Sequence, residues 1–417
     1  MTAAELTTVL PTANVTPDSI SDREYRESIG ETLLETLAVE NWDVGRDLDR
    51  EYRRILAEVK EAVGQEDTLQ LRIREKIFPL LKSIPLAPKN AGVHAIREDV
   101  IPRVRDGLLF SGGVEACDGT LQVFDTLPLS VHQVGIALVS FQGKEGTWCQ
   151  RLFRRDIRVQ GSDPVDELAE ILNRRGKRSA LNHESPRDRL SQLLRRGVMA
   201  YAERAVLLRR SKAVWRMGHG NPAPLELLTG SSSPDPTIEA IKMLRELILD
   251  HQKFLFVPSE SSDQLLYTIG HALPPMHYAI VKRLSDNLDQ QISQGHFETT
   301  VTVDDRWDGK RLSPIDWVRR FRDEVASKVV VGVYRAAVPS PAQIFFAHED
   351  HSDMAAHIAV ADSLLQPHRG FPMLIDLADH VCATVFGGGQ LDGLLASAYS
   401  ENGAAFRYQS ERSTRHR

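Results

Sequence analysis

The sequence predicts an α/β protein with an N-terminal helical arm, and three observations predict it. Residues 107–153 alternate apolar and polar positions between Gly and Pro breaks, as hairpin strands do. Short apolar runs (KFLFVPS, KVVVGVYRAA, AQIFFAHE) are interleaved with segments of helical period such as IEAIKMLRELILDHQ, the signature of helices packed on a sheet. Residues 21–64 place apolar side chains at helical spacing in a charged background.

Residues 1–20, rich in Thr and containing Pro, read as a tail. From Ser21 to about residue 90 the pattern predicts a helical arm or bundle for packing or dimerisation, with Ser and Asp as its start cap. The next region, 91–400, carries the α/β pattern, and 401–417 reads as a second tail. Within it GLLFSGGVEACDGT, PLSVHQVGIALVSFQG and GTWCQRLFRRD predict three strands. A basic helical section follows, from PVDELAEILNRR to RSKAVWRM, then a loop GHGNPAP and an apolar run LELLTGSSS that reads as a buried strand.

Composition narrows the function classes. At 417 residues the chain is long enough for one large domain with additions or for two domains. Its 42% hydrophobic and 26% charged content is that of a soluble globular protein, and no apolar run approaches the roughly 18 residues of a membrane span. Cys117, Cys149 and Cys382 have neither paired nor metal-type spacing, and the N-terminus lacks a secretory pattern, so a reducing cytoplasm is expected. No P-loop, dinucleotide fingerprint, zinc-type spacing or internal repeat is present, which argues against nucleotide hydrolysis. A net charge of -6 leaves room for local basic clusters, and Arg195, Arg196, Arg204, Arg209, Arg210 and Lys212 form one, readable as a solvated helix face or as a phosphate contact.

In GVEACDGT, Asp118 is expected at or near a strand end, with Gly119 allowing a sharp backbone turn. A carboxylate on such a rigid edge suits a hard cation such as Mg²⁺ or Mn²⁺; the alternative is an ordinary Asp-Gly turn. The histidines of HEDHSDMAAHIAVAD (His348, His351, His357) do not match HExxH and read as surface or loop residues without chemistry.

The order of these motifs, strand, Asp-Gly-Thr, hairpin, basic helix, LLTGS and the late RGFPMLIDLADHV, resembles the NurA family of nucleases over roughly residues 90–400. The resemblance implies an RNase H-like (PIWI-like) mixed sheet flanked by helices. It implies that Asp118 and Glu203, in MAYAERAVLL, are metal ligands, Glu203 being otherwise a helix-surface charge. The family's third motif ends in a strand Leu-Asp-Gly-Ser; here Thr229 stands at the carboxylate, Glu226 three residues earlier is a substitute ligand, and His219 is a second candidate reaching in from its loop. In the fourth motif Asp379 falls in register with the family's histidine and His380 lies beside it; helical geometry lets one of the two face the site, and Asp379 is preferred.

On these grounds the resemblance implies a Mn²⁺- or Mg²⁺-dependent deoxyribonuclease in which Asp118, Glu203 and Asp379 hold the ion and Asp379 or His380 completes the site. It also implies a homodimer around DNA and a HerA-type hexameric ATPase as partner, in repair or anti-phage defence. The other reading is a catalytically weakened DNA-binding or scaffold subunit of that complex. If the nuclease reading holds, oxygens of Asp118, Glu203 and a third carboxylate should converge within about 5 Å.

Overall fold

The computed structural model describes residues 21–42, 48–125, 130–143, 146–154, 165, 197–229, 234–261, 263–293 and 306–406. The chain divides into two compact units, one ending at Thr68 and the other beginning at Leu69. In the first, α1 (Asp22–Ile29) and α2 (Leu33–Leu37) each begin with a reciprocal capping box, Ser21 with Glu24 and Thr32 with Glu35. The Tyr25 hydroxyl donates to Thr36 Oγ1 (3.0 Å) and ties the two helices together. A long helix, α3 (Leu48–Lys76), follows, and the boundary between the units falls within it.

The second unit is built on a nine-stranded sheet: β1 (Gly92–Ala95), β2 (Val114–Asp125), β3 (Ser130–Val139), β4 (Gly146–Arg154), β5 (Trp215–His219), β6 (Phe254–Val257), β7 (His277–Arg283), β10 (Val329–Arg335) and β11 (Gln343–His348). The strand order is β1-β7-β10-β11-β6-β5-β2-β3-β4. A separate hairpin pairs β8 (Arg306–Trp307) with β9 (Lys310–Arg311). Among β4, β3, β2, β5 and β6 only β3 runs against the others, since β2–β3 and β3–β4 are antiparallel while β2–β5 and β5–β6 are parallel. This is the arrangement of an RNase H-like core, with β2 in its middle, and the four further strands extend it past β6.

Helices cover both faces, α8 (Gln264–Ala272) and α9 (Leu284–Ser293) on one and α4 (Val100–Val104) on the other. One layer contains α5 (Val198–Arg209), and two more of its helices follow α6 (Leu225–Thr229): α7 (Pro234–Arg245) and, further along, α10 (Pro314–Arg320). Cys117, Leu207, Ile241, Phe256 and Trp317 belong to the core beneath it. The opposite layer contains α11 (Ser352–Ser363) and α12 (Met373–Phe386), and Ala116, Met217, Ala359, Leu374 and Ala378 belong to that second core. Successive side chains of β2 therefore serve different layers: Val114 and Ala116 face α11 and α12, while Cys117 faces α5.

The structure corrects three local readings. The apolar run LELLT is not a strand: Leu225–Thr229 forms α6, entered through Pro224, whose carbonyl accepts from the Leu227 N–H (3.1 Å), and residues 230–233 lie outside the described residues. An apolar run this short has no periodicity that separates strand from helix. WRMGH, read from sequence as a helix end and a loop, is β5, fixed by parallel ladders on both sides. Asp118 does not sit at a strand end, because β2 continues to Asp125. The predicted helix over PVDELAEILNRR lies outside the described residues apart from Val165.

Candidate functional site

Asp118 lies in the interior of β2 and is 4% exposed. By strand alternation its side chain points to the α11/α12 face, one residue beyond the last β2–β5 pair, Cys117 with Gly218. That register brings His219, the last residue of β5, beside it. The His219 Nδ1–H donates to Asp118 Oδ1 (3.3 Å), and this hydrogen bond, followed by the nearby charge of Asp118, holds the imidazole above its usual pKa against the effect of burial. The ring of Phe371, from the RGFP segment, meets His219 edge-on with centroids 6.0 Å apart.

On the same face α12 presents Asp379. Its carboxyl, although exposed, is raised above the usual range by desolvation and then by the nearby charge of Asp118, as α12 packs against β2. The approach is possible because β3 is bare at Gly135, where a Cβ would lie 2.3 Å from the Phe386 ring of α12. Cys382 packs with Ala137 and donates its thiol to the Gly135 carbonyl (3.3 Å). Asp379 and His380 are both exposed, and of the pair it is Asp379 whose carboxyl feels the charge of Asp118.

Glu203 reaches the site from the other face. Gly119 has no positive φ and makes no turn; it is an ordinary extended residue paired with Ile136. It has a different purpose, since a Cβ placed on it would sit 2.5 Å from Glu203 Oε1. The Asp-Gly pair is therefore a carboxylate followed by a gap that a second carboxylate occupies. Burial raises the Glu203 pKa, Arg204 opposes this, and Asp118 raises it further.

Arg204, read as part of a basic cluster that is either a solvated helix face or a phosphate contact, is 3% exposed and committed internally. Its Nη1 donates to Glu203 Oε2 (2.7 Å) and to the Ala200 carbonyl (2.9 Å), and its Nε donates to the Pro222 carbonyl (2.9 Å), pinning the loop that follows His219. Of the remaining cluster, Arg209 pairs with Glu246, Arg210 and Lys212 are exposed, and Arg195 and Arg196 lie outside the described residues. Glu226 is on α6, where it lines a cavity with Tyr201, Leu227, Pro236 and Glu239, so the strand position imagined for it does not exist. His348 and His357 are buried rather than superficial, and the His357 Nδ1–H donates to the Asp353 carbonyl (2.8 Å).

The site thus gathers Asp118, Asp379 and His219 on one face, with Glu203 behind Gly119. His219, and not LLTGS, ends a strand beside Asp118, and the signal that could have found it is the Gly-His step after an alternating Trp-Arg-Met. Oxygen donors pressed together in this way fit a hard divalent cation in kind. The expected convergence of three carboxylates is not reached: among the described residues no group of three or more His, Cys, Asp or Glu side chains closes into a metal-holding cluster.

No family model matches the chain, and no curated protein matches it. Among solved structures it is similar to the NurA nuclease from Sulfolobus solfataricus, at 10% identity and a TM-score of 0.40, over 86% of this chain and 99% of that one. A structure of NurA with manganese is similar at 10% identity and a TM-score of 0.35, covering 82% and 98%. An endonuclease V from Bacillus subtilis is similar at 10% identity and a TM-score of 0.26, covering 73% and 92%.

Proposed function

We propose that the chain is a metal-dependent nuclease acting on DNA, with Asp118 at its centre. The observation that carries this reading is the placement of Asp118 mid-strand in the RNase H-like core, against Asp379 and His219, with Glu203 laid over the neighbouring glycine. Burial raises Glu203, partial desolvation raises the exposed Asp379, and the charge of Asp118 raises both, a repulsion that a cation relieves. Asp118, Glu203 and Asp379 would hold Mn²⁺ or Mg²⁺, which when bound supplies charge stabilisation at phosphorus and a more acidic water. Asp118 orients the imidazole of His219 through Nδ1, which leaves Nε2 as the ring atom that takes up a proton from water. Arg204 fixes the Glu203 carboxylate and the loop after β5, so neither has to be organised when substrate arrives.

Asp379 fills the fourth role in this proposal, with His380 next to it on the same helix. A homodimer around DNA, partnership with a HerA-type hexameric ATPase, and a place in repair or anti-phage defence are further parts of the proposal, supported by the resemblance of the sequence motifs. Among the described residues no helix is long and apolar enough to cross a membrane.

A second reading has its own support. Arg204 claims one oxygen of Glu203, and Thr229 stands where the motif of the resembled family has a carboxylate, as expected of a weakened enzyme retained as a DNA-binding or scaffold subunit. Incubating linear DNA with Mn²⁺ or Mg²⁺, with and without the ATPase, separates the two. Cleavage that disappears in Asp118→Ala supports the nuclease; metal-dependent cleavage that survives it excludes this site; no cleavage under any condition favours the scaffold.

A further inference from the structure

The first residues of α12 need acceptors for N–H groups that have no partner inside the helix. Its N-cap is Pro372, which offers no side-chain cap. The acceptor comes from another helix: Asp362, near the end of α11, accepts the Leu374 N–H on Oδ2 at 2.9 Å. Asp362 is fully buried, and its Oδ1 has no hydrogen-bond partner. A carboxyl group without solvent, held at the positive end of a helix, has one evident structural task there. The connection between the two helices is fastened around it. Tyr334 Oη and Ser363 Oγ are 2.9 Å apart, the Tyr334 hydroxyl also reaches the Gly370 carbonyl (3.3 Å), and the Gln366 amide donates to the Phe371 carbonyl (2.9 Å).

We infer that Asp362 is a positioning residue of the candidate site: by capping α12 from α11 it sets the register that brings Asp379 against Asp118 and Phe371 against His219. Both of those contacts lie within a few residues of the capped amide, one on each side of it. An axial slip or fraying of the first turn of α12 moves both together. The functional part of the inference rests on the nuclease reading; the mechanical part does not.

The test separates them. In the wild-type protein the Leu374 amide should exchange with solvent slowly, although its position in the helix has no internal acceptor; exchange at the rate of a free amide would overturn the inference. Cys382, buried on α12 against β3, reports on the helix through labelling by a thiol reagent, located by mass spectrometry. Asp362→Val, which removes the acceptor at similar volume, should speed Cys382 labelling by roughly ten-fold, the scale set by losing one buried hydrogen bond. Asp362→Asn, which keeps an acceptor, should stay close to wild type. Unchanged labelling in a folded Asp362→Val protein overturns the inference. If the valine variant does not fold, the exchange of Leu374 in wild type and Asp362→Asn still decides it. Where DNA cleavage is observed, Asp362→Val should lower kcat with KM for DNA unchanged, and adding Asp379→Ala should cost no more than Asp379→Ala alone. A wild-type protein that cleaves no DNA defeats the nuclease reading and leaves the exchange and labelling results to decide the role of Asp362.

Discussion

The carboxylate of Glu203 occupies the space in which a side chain at Gly119 would begin, 2.5 Å from where the Cβ would be. Two distant parts of the chain are thus matched atom to atom: a glycine inside a strand and an acid on the helix that covers it. The match explains why a glycine, which weakens a strand, follows Asp118 where no turn is made.

Gly119→Ala is the direct consequence. The methyl group must displace Glu203 or the helix that carries it, and we expect a loss of about 1–3 kcal/mol in stability, the usual range for overfilling a packed site. Urea unfolding measures this. Cleavage activity should fall further than the unfolded fraction accounts for, and a variant of wild-type activity would dissociate Glu203 from the site.

Arg204 should behave as a buried charge whose removal strands its partners. Arg204→Met leaves Glu203 and the loop carbonyls without their donor, and we expect about 3–5 kcal/mol of destabilisation. Arg204→Lys should recover only part of it, because an ammonium group cannot present the planar fork of donors that these acceptors share. Equal stability of the lysine variant and wild type in chemical denaturation would show that the fork is not needed.

His219 gives a signed pH dependence. Its pKa is raised in the folded protein by the hydrogen bond to Asp118, so its contribution is fully present below the unfolded value of about 6.5 and is lost as pH rises through the folded value. Asp118→Asn should lower the His219 pKa and flatten that part of the stability profile. Titration of the ring proton by NMR reads the shift directly, and an unchanged titration would rule out Asp118 as its cause.

Asp362 gives a second window of the same sign. Burial pushes its carboxyl up to about 7, opposed by the Leu374 N–H and reinforced by the charge of Asp376. Stability from this group is complete below the unfolded carboxyl value of about 3.9 and declines as pH rises through about 7, each pH unit of separation being worth about 1.4 kcal/mol. Asp362→Asn should remove the slope between pH 4 and 7 in thermal unfolding; an identical slope in both proteins would assign it elsewhere.

Much of the fold was legible in the sequence where local pattern and burial agree. The strands from Val114 to Arg154 carry the alternation of a sheet, and the apolar runs at Phe254–Val257, Val329–Arg335 and Gln343–His348 are buried strands as read. What failed were elements whose state is set by neighbours. Trp215–His219 is a strand because β2 and β6 flank it, and its five residues follow a basic helix whose pattern runs into them. The role of Gly119 was hidden because the group that requires it is Glu203, far along the chain, and the burial of Arg204 was hidden because a lone arginine in a basic stretch carries no mark of its internal partners.

At Asp118 and Gly119, consecutive residues of β2 meet helices from opposite sides of the sheet. The spacing between the acidic groups is consequently set by the thickness of one pleated layer and not by the conformation of any loop. Surface connections elsewhere in the chain can lengthen or shorten without altering it. The two halves of the site thus meet across a single peptide unit, the one joining Asp118 to Gly119.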